Sequence, residues 1–261
     1  LIQVKLYVFE TLSTEETMSL ATETGFGTAL TQNPFAWSTL GAAAAVGTKP
    51  SPADEDLRAL QQAGIRVRFA RNETIFNDGD EATNCYKVIS GAVRLCKHMS
   101  DGRRQIADFL LAGDFFGFMQ FGTYKFTAEA VGDVVLMCYP QGQVARLSTT
   151  MPNLRGRLLV LLSQRLLGMQ DHLVMLGRQT AKERVASFLL HIAERSDAEE
   201  ELAFDLPMSR QDIADYLGLT IETVCRMLSE LKRERIIAIP NASQIVLNDM
   251  DALQALAEGG E

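Results

Sequence analysis

Within SRQDIADYLGLTIETVCRML, residues 209 to 228, three side chains of different chemistry are set three and four residues apart: Glu222, Cys225 and Arg226. On a helix that spacing places them on one face. An arginine can donate to guanine O6 and N7 together, and a glutamate can accept from cytosine N4, so the face carries what reading a major groove requires. On the opposite side Ile221, Val224, Leu228 and Leu231 recur at spacings of 3, 4 and 3 and are expected to face a core. The competing reading of Glu222 and Arg226 is an ion pair on a solvated helix. The surrounding pattern favours the first. Ser209 is placed to cap a preceding helix whose apolar face is Ile213, Ala214 and Leu217, Gly218 supplies a turn, Leu219 plugs the core, and Thr220 caps the second helix. The expected DNA-contacting set is Ser209, Thr220, Glu222, Thr223, Cys225, Arg226 and Ser229. Lys232, Arg233 and Arg235 suit phosphate contacts or the negative end of the helix dipole.

The sequence on either side of this head sets its scaffold. IIAIPNASQIVLND reads as two apolar runs around a Pro-Asn-Ala-Ser turn, a hairpin that completes a winged helix over residues 179–255. In residues 151–178, Leu159, Leu162, Leu166, Met169, Leu173 and Leu176 follow at spacings of 3, 4, 3, 4 and 3, an a/d seam that calls for a second helix. Arg155, Arg157, Gln164, Arg165 and Asp171 are expected to make the opposite face polar. A homodimer joined through this helix is the expectation, the other reading being a helix packed on its own domain. Residues 51–150 show short apolar runs divided by NDGD, SG, SDG and VGD, the signature of an eight-stranded antiparallel β-roll whose glycines take positive φ. Residues 1–50, polar and then FAWSTLGAAAAVGTKPSP, keep no sustained period and are expected to be a disordered extension. The fold class is therefore α+β: N-terminal roll, long dimerisation helix, C-terminal winged helix-turn-helix.

Composition narrows the function. No run reaches the roughly 18 apolar residues of a membrane span, and LIQVKLYVFETLSTEE lacks a basic start, apolar run and cleavage site, so the expectation is a cytoplasmic protein with no membrane partner. Cys85, Cys96, Cys138 and Cys225 have neither CxxC nor zinc-finger spacing, and reduced thiols are expected. A formal net charge of -8 opposes nonspecific nucleic-acid binding while leaving room for a small basic reading head. An enzymatic roll would need a cluster of metal ligands, yet this one holds a single histidine, His98, and no metal or catalytic site is expected.

With GDFFGF at residues 113–118 and SRQDIADYLGLTIETVCRML in the head, the chain resembles the Crp–Fnr family of bacterial transcription regulators over about residues 60 to 250. The resemblance implies a cyclic-nucleotide-binding-like roll, a symmetric dimer on palindromic DNA, and activation through RNA polymerase. The E-x-x-S-R reading motif of the Fnr and FixK branches lands on Glu222, Cys225 and Arg226, with cysteine in place of serine, which implies TTGA-type half-sites. Inputs usual in the family lack their residues. Gly113-Asp114 is followed by no Arg-Ser pair for a cyclic phosphate, no cysteine precedes Cys85 for an iron–sulfur cluster, and His98 reads as a loop residue rather than a haem ligand. What remains is similar to the FixK branch: a regulator of microaerobic or anaerobic genes that needs no cofactor. The alternative is a small-effector or haem-responsive regulator, with an apolar pocket around Phe115, Phe116, Phe118 and Phe121. Cys225 is a candidate redox control point, because oxidation on a DNA-facing side adds bulk and then negative charge. The other three cysteines read as core.

Overall fold

The computed structural model describes residues 60, 62–118, 122–195, 203–241 and 243–259. Residues 1–50, expected to be disordered, and Phe121 lie outside them.

Eight strands come first: β1 (Ile65–Phe69), β2 (Thr74–Phe76), β3 (Asn84–Ser90), β4 (Val93–His98), β5 (Arg104–Leu110), β6 (Phe115–Phe116), β7 (Thr127–Ala130) and β8 (Val134–Pro140). They form two antiparallel four-stranded sheets, ordered β1-β8-β3-β6 and β2-β7-β4-β5, rather than a closed barrel. The turn glycines do what the sequence asks at Gly79, Gly91 and Gly102, all at positive φ; Gly132 of VGD is not among the positive-φ residues. Gly91 is the demanding one, since a Cβ there would collide with the Asp133 carbonyl oxygen. Between the sheets lie Phe76, Tyr86, Val88, Val93, Leu110, Phe116, Tyr124 and Leu136. The Phe76 and Tyr124 rings stack at 3.7 Å and those of Tyr86 and Phe116 at 5.2 Å, so aromatic side chains fill the roll's interior.

A short helix that the sequence pattern did not signal, α1 (Gln141–Thr150), closes the roll. Then comes α2 (Pro152–Arg178), 27 residues, about 40 Å at 1.5 Å per residue, with proline at its start where a missing N–H costs nothing. The head consists of α3 (Ala181–Glu194), β9 (Ala203–Asp205), α4 (Arg210–Leu217), α5 (Ile221–Arg233), β10 (Ile237–Asn241), β11 (Gln244–Leu247) and α6 (Met250–Ala257). The wing is a three-stranded sheet ordered β10-β11-β9, one strand more than the hairpin itself. Helix α6 adds to the winged helix expected from the sequence; Asp249 caps it and its Leu253 is buried.

The head does not hang free. Its core residues, among them Phe188, Leu206, Ile213, Leu217, Val224 and Leu231, join Ala92, Cys96, Ile106 and Phe109 of the roll in one apolar cluster. No described helix is long and apolar enough to cross a membrane.

Candidate nucleic-acid interface

Helix α4 begins with a reciprocal cap: the Ser209 hydroxyl accepts from the Asp212 N–H at 3.1 Å, and the Asp212 carboxylate accepts from the Ser209 N–H at 3.1 Å. It ends at Gly218, in the left-handed conformation that lets the chain turn into α5. Thr220 then caps α5, accepting from the Thr223 N–H at 3.2 Å. Two short helices are thus fixed at both ends of their connecting turn, which sets how α5 projects.

On α5 the buried residues are Val224, Met227, Leu228 and Leu231. Ile221, expected in the core, is 36% exposed, because the buried set includes Met227 and so turns the core face away from it. Glu222, Cys225, Arg226 and Ser229 are all exposed, as the spacing requires, while Thr223 is half-buried. Among the described residues no ion pair joins Glu222 to Arg226, and both side chains are exposed. Hydrogen bonds from its own backbone N–H and from Thr220 hold the Glu222 carboxyl below its usual range, which keeps it an acceptor. The Ser229 hydroxyl donates to the Cys225 carbonyl at 2.8 Å, leaving its oxygen to accept. Arg210, at the first turn of α4, interacts electrostatically with Cys225, a neighbour that sequence reasoning missed because the two are fifteen positions apart. Lys232, Arg233 and Arg235 are exposed at the far end of α5.

Along α2, Leu159, Leu162, Leu166, Met169 and Leu173 are 46–69% exposed, and Leu176 is instead half-buried beside Gly218. Val160, Leu167 and Val174, one heptad apart and not singled out by the seam, are exposed too and widen the apolar face. The expectation that Arg165 lies on a polar outer face is corrected. Its guanidinium turns to the roll, donating to the Phe115 carbonyl at 2.7 Å and to Asp108 at 2.6 Å.

The residues where an input would act are otherwise engaged. Asp114 of GDFFGF accepts from the Leu111 N–H at 2.7 Å and from Arg195 of the head. Phe115 packs against Phe118 and Tyr139, and Phe116 against Tyr86. Cys96, His98 and Glu129 bring ligand-type atoms within 4.8 Å of one another. Glu129 is already paired with Arg94 at 2.7 Å, and burial pushes the Cys96 thiol up to about 12, which opposes the thiolate a metal would need. Burial also pushes Cys85 up to about 12; Cys225 alone among the cysteines is exposed.

A roll carrying a long apolar-faced helix and a capped helix-turn-helix with a wing defines a DNA-binding transcription regulator. Residues 66–150 match the cyclic nucleotide-binding domain family, and residues 183–256 the Crp-like helix-turn-helix domain family. The nitrogen fixation regulation protein FixK of Azorhizobium caulinodans is 45% identical over 210 residues, 78% of this chain and 85% of its own. FixK of Rhizobium meliloti is 39% identical over 82% of this chain and 98% of its own. The solved structure of FixK2 from Bradyrhizobium japonicum superposes with a TM-score of 0.71 at 38% identity, covering 74% of this chain and 96% of that one. The chain belongs to the Crp–Fnr family and is a DNA-binding transcription activator of that family.

Proposed function

We propose that the chain works as a homodimer that reads a TTGA-type palindrome and switches on microaerobic or anaerobic genes, in the cytoplasm and through contact with RNA polymerase. The observation that carries this reading is the exposed, mutually unpaired Glu222 and Arg226 on a capped recognition helix. Arg226 would take guanine and Glu222 the opposing cytosine of each half-site, with Ser209, Thr220, Thr223, Cys225 and Ser229 around them. The apolar face of α2 would join two copies and set their recognition helices about one DNA turn, roughly 34 Å, apart. Iron–sulfur cluster, haem and effector have no part in this reading. The ring-filled interior of the roll supports it over an effector-binding alternative. No catalysis is assigned.

The test is fluorescence anisotropy of the reduced, metal-free protein on a TTGA-N6-TCAA duplex and a scrambled one at fixed salt, repeated with Arg226→Ala. Tight binding that requires both the palindrome and Arg226 supports the reading; equal binding to both duplexes, or none, overturns it.

A further inference from the structure

The outer face of sheet β2-β7-β4-β5 is polar where it meets α4, and its arginines reach across the domain boundary to carboxylates of that helix. Arg94 is 7% exposed and Asp212 is 4% exposed. Arg94 donates to Asp212 at 3.2 Å and to Glu129 at 2.8 Å, with Asn72 accepting a third bond at 3.2 Å. Arg104 reaches Asp212 at 2.5 Å and Asp215 at 2.8 Å, and Gln105 donates to the Tyr216 carbonyl at 3.3 Å. Burial by itself would raise the Asp212 carboxyl, but Ser209 and the two guanidiniums reverse this and hold it below the carboxylate range.

The apolar part of this contact, Ile106 and Phe109 against Phe188 and Tyr216, is non-directional and would tolerate sliding. A guanidinium bridging two carboxylates of one helix, Arg104 on Asp212 and Asp215, with a further bond from Arg94 to Asp212, does not, because planar donors must stay aligned with their acceptors. Buried ion pairs add little net stability, and their best-attested use is to fix register. We infer that Arg94 and Arg104 on the roll, with Asp212 and Asp215 on α4, form an orientation lock that holds the reading helices of the dimer at their DNA spacing without a ligand. Arg104 and Asp215 are its positioning residues. The inference rests on the dimeric reading proposed above.

Asp212 also caps α4, so the lock is tested at Arg104 and Asp215, in the full chain. A nitroxide on Cys225, the exposed cysteine, reports the head-to-head distance in the DNA-free dimer by pulsed electron paramagnetic resonance. The parent gives a narrow distribution, Arg104→Gln and Asp215→Asn broaden it at least twofold, and Arg104→Lys lies between. In binding assays on unlabelled protein, the parent prefers the N6 spacer over N5 and N7. Arg104→Gln cuts that preference at least fivefold and leaves affinity for a single half-site within twofold. Equal distribution widths and an unchanged spacer preference would overturn the lock, as would a half-site loss as large as the palindrome loss, which is the mark of a misfolded head. Absence of any dipolar signal in the parent would instead remove the dimeric reading, and the lock with it.

Discussion

Truncating Leu173 to alanine should separate the dimer. Leu173 sits late in α2 and is 69% exposed in the single chain, the largest exposure in the seam. Complete burial of a leucine is worth about 1.5–3 kcal/mol, so covering the fraction still open contributes about 1–2 kcal/mol per copy. Two-fold symmetry counts it twice, and Leu173→Ala costs about 2–4 kcal/mol per dimer, or about 30- to 700-fold in the dimer dissociation constant. The folded monomer is spared, because the side chain contributes little where it is already open to solvent. Sedimentation equilibrium over a concentration series reads the constant directly, and thermal unfolding at low concentration checks the monomer. Arg103→Ala, exposed in the turn between β4 and β5 and outside α2, serves as the control with no expected change. A Leu173→Ala constant within threefold of the parent would refute the reasoning, and the exposed face would then need another occupant.

On the palindrome, Arg226→Ala should lose about 1–3 kcal/mol of discrimination at the guanine of each half-site, whereas Lys232→Ala should weaken palindrome and scrambled duplex alike and make the salt slope shallower by about one unit per contact; competition binding at several salt concentrations distinguishes them. Peroxide should weaken DNA binding by the parent and spare Cys225→Ser, measured by anisotropy before and after treatment; equal loss in both would sink redox control at that thiol. Acid should unfold the protein through His191, whose ring accepts from Arg195 at 3.0 Å and whose pKa is pushed down to about 3 by burial, then by Arg195 and His172. A depressed folded-state value means full stability above the unfolded value near 6.5 and loss as pH falls towards 3, at about 1.4 kcal/mol per pH unit. His172, lowered to about 4, acts in the same direction, and Glu194, raised to about 7 by burial, acts against it between 4.5 and 7. Melting temperature against pH should therefore fall below pH 6.5, less steeply in His191→Gln.

What the sequence made legible was local. The cap at Ser209, the left-handed Gly218 and the cap at Thr220 are chemical signals within a dozen positions of each other, and they place Glu222, Cys225 and Arg226 outward. Helix α1 gave no such signal, since QGQVARLSTT offers only Val144 and Leu147 to a core. Helix α6 did carry one, Asp249 ahead of Met250, Leu253 and Leu256, which a reading that stopped at the wing passed over. A 3-4-3 period fits more than one direction for the core, so Ile221 reads as buried from sequence, and only packing shows that Met227 is inside. Arg165 and Arg94 are harder. A charged residue within a periodic segment reads as solvated, and their partners are 57 and 118 positions away, so nothing nearby marks them as engaged.

The same distant pairings resolve the tension between an acidic chain and a DNA partner. Around the recognition helix most carboxylates are already spoken for: Asp212 and Asp215 face Arg104, and Glu230 and Glu234 share Lys182 at 3.2 and 2.9 Å. Paired in this way, their fields largely cancel before reaching the DNA side, whereas no described ion pair neutralises Arg226, Lys232, Arg233 or Arg235 there. A phosphate backbone approaching α5 therefore meets a positive field, while the chain's overall negative charge opposes its loose adsorption to DNA elsewhere.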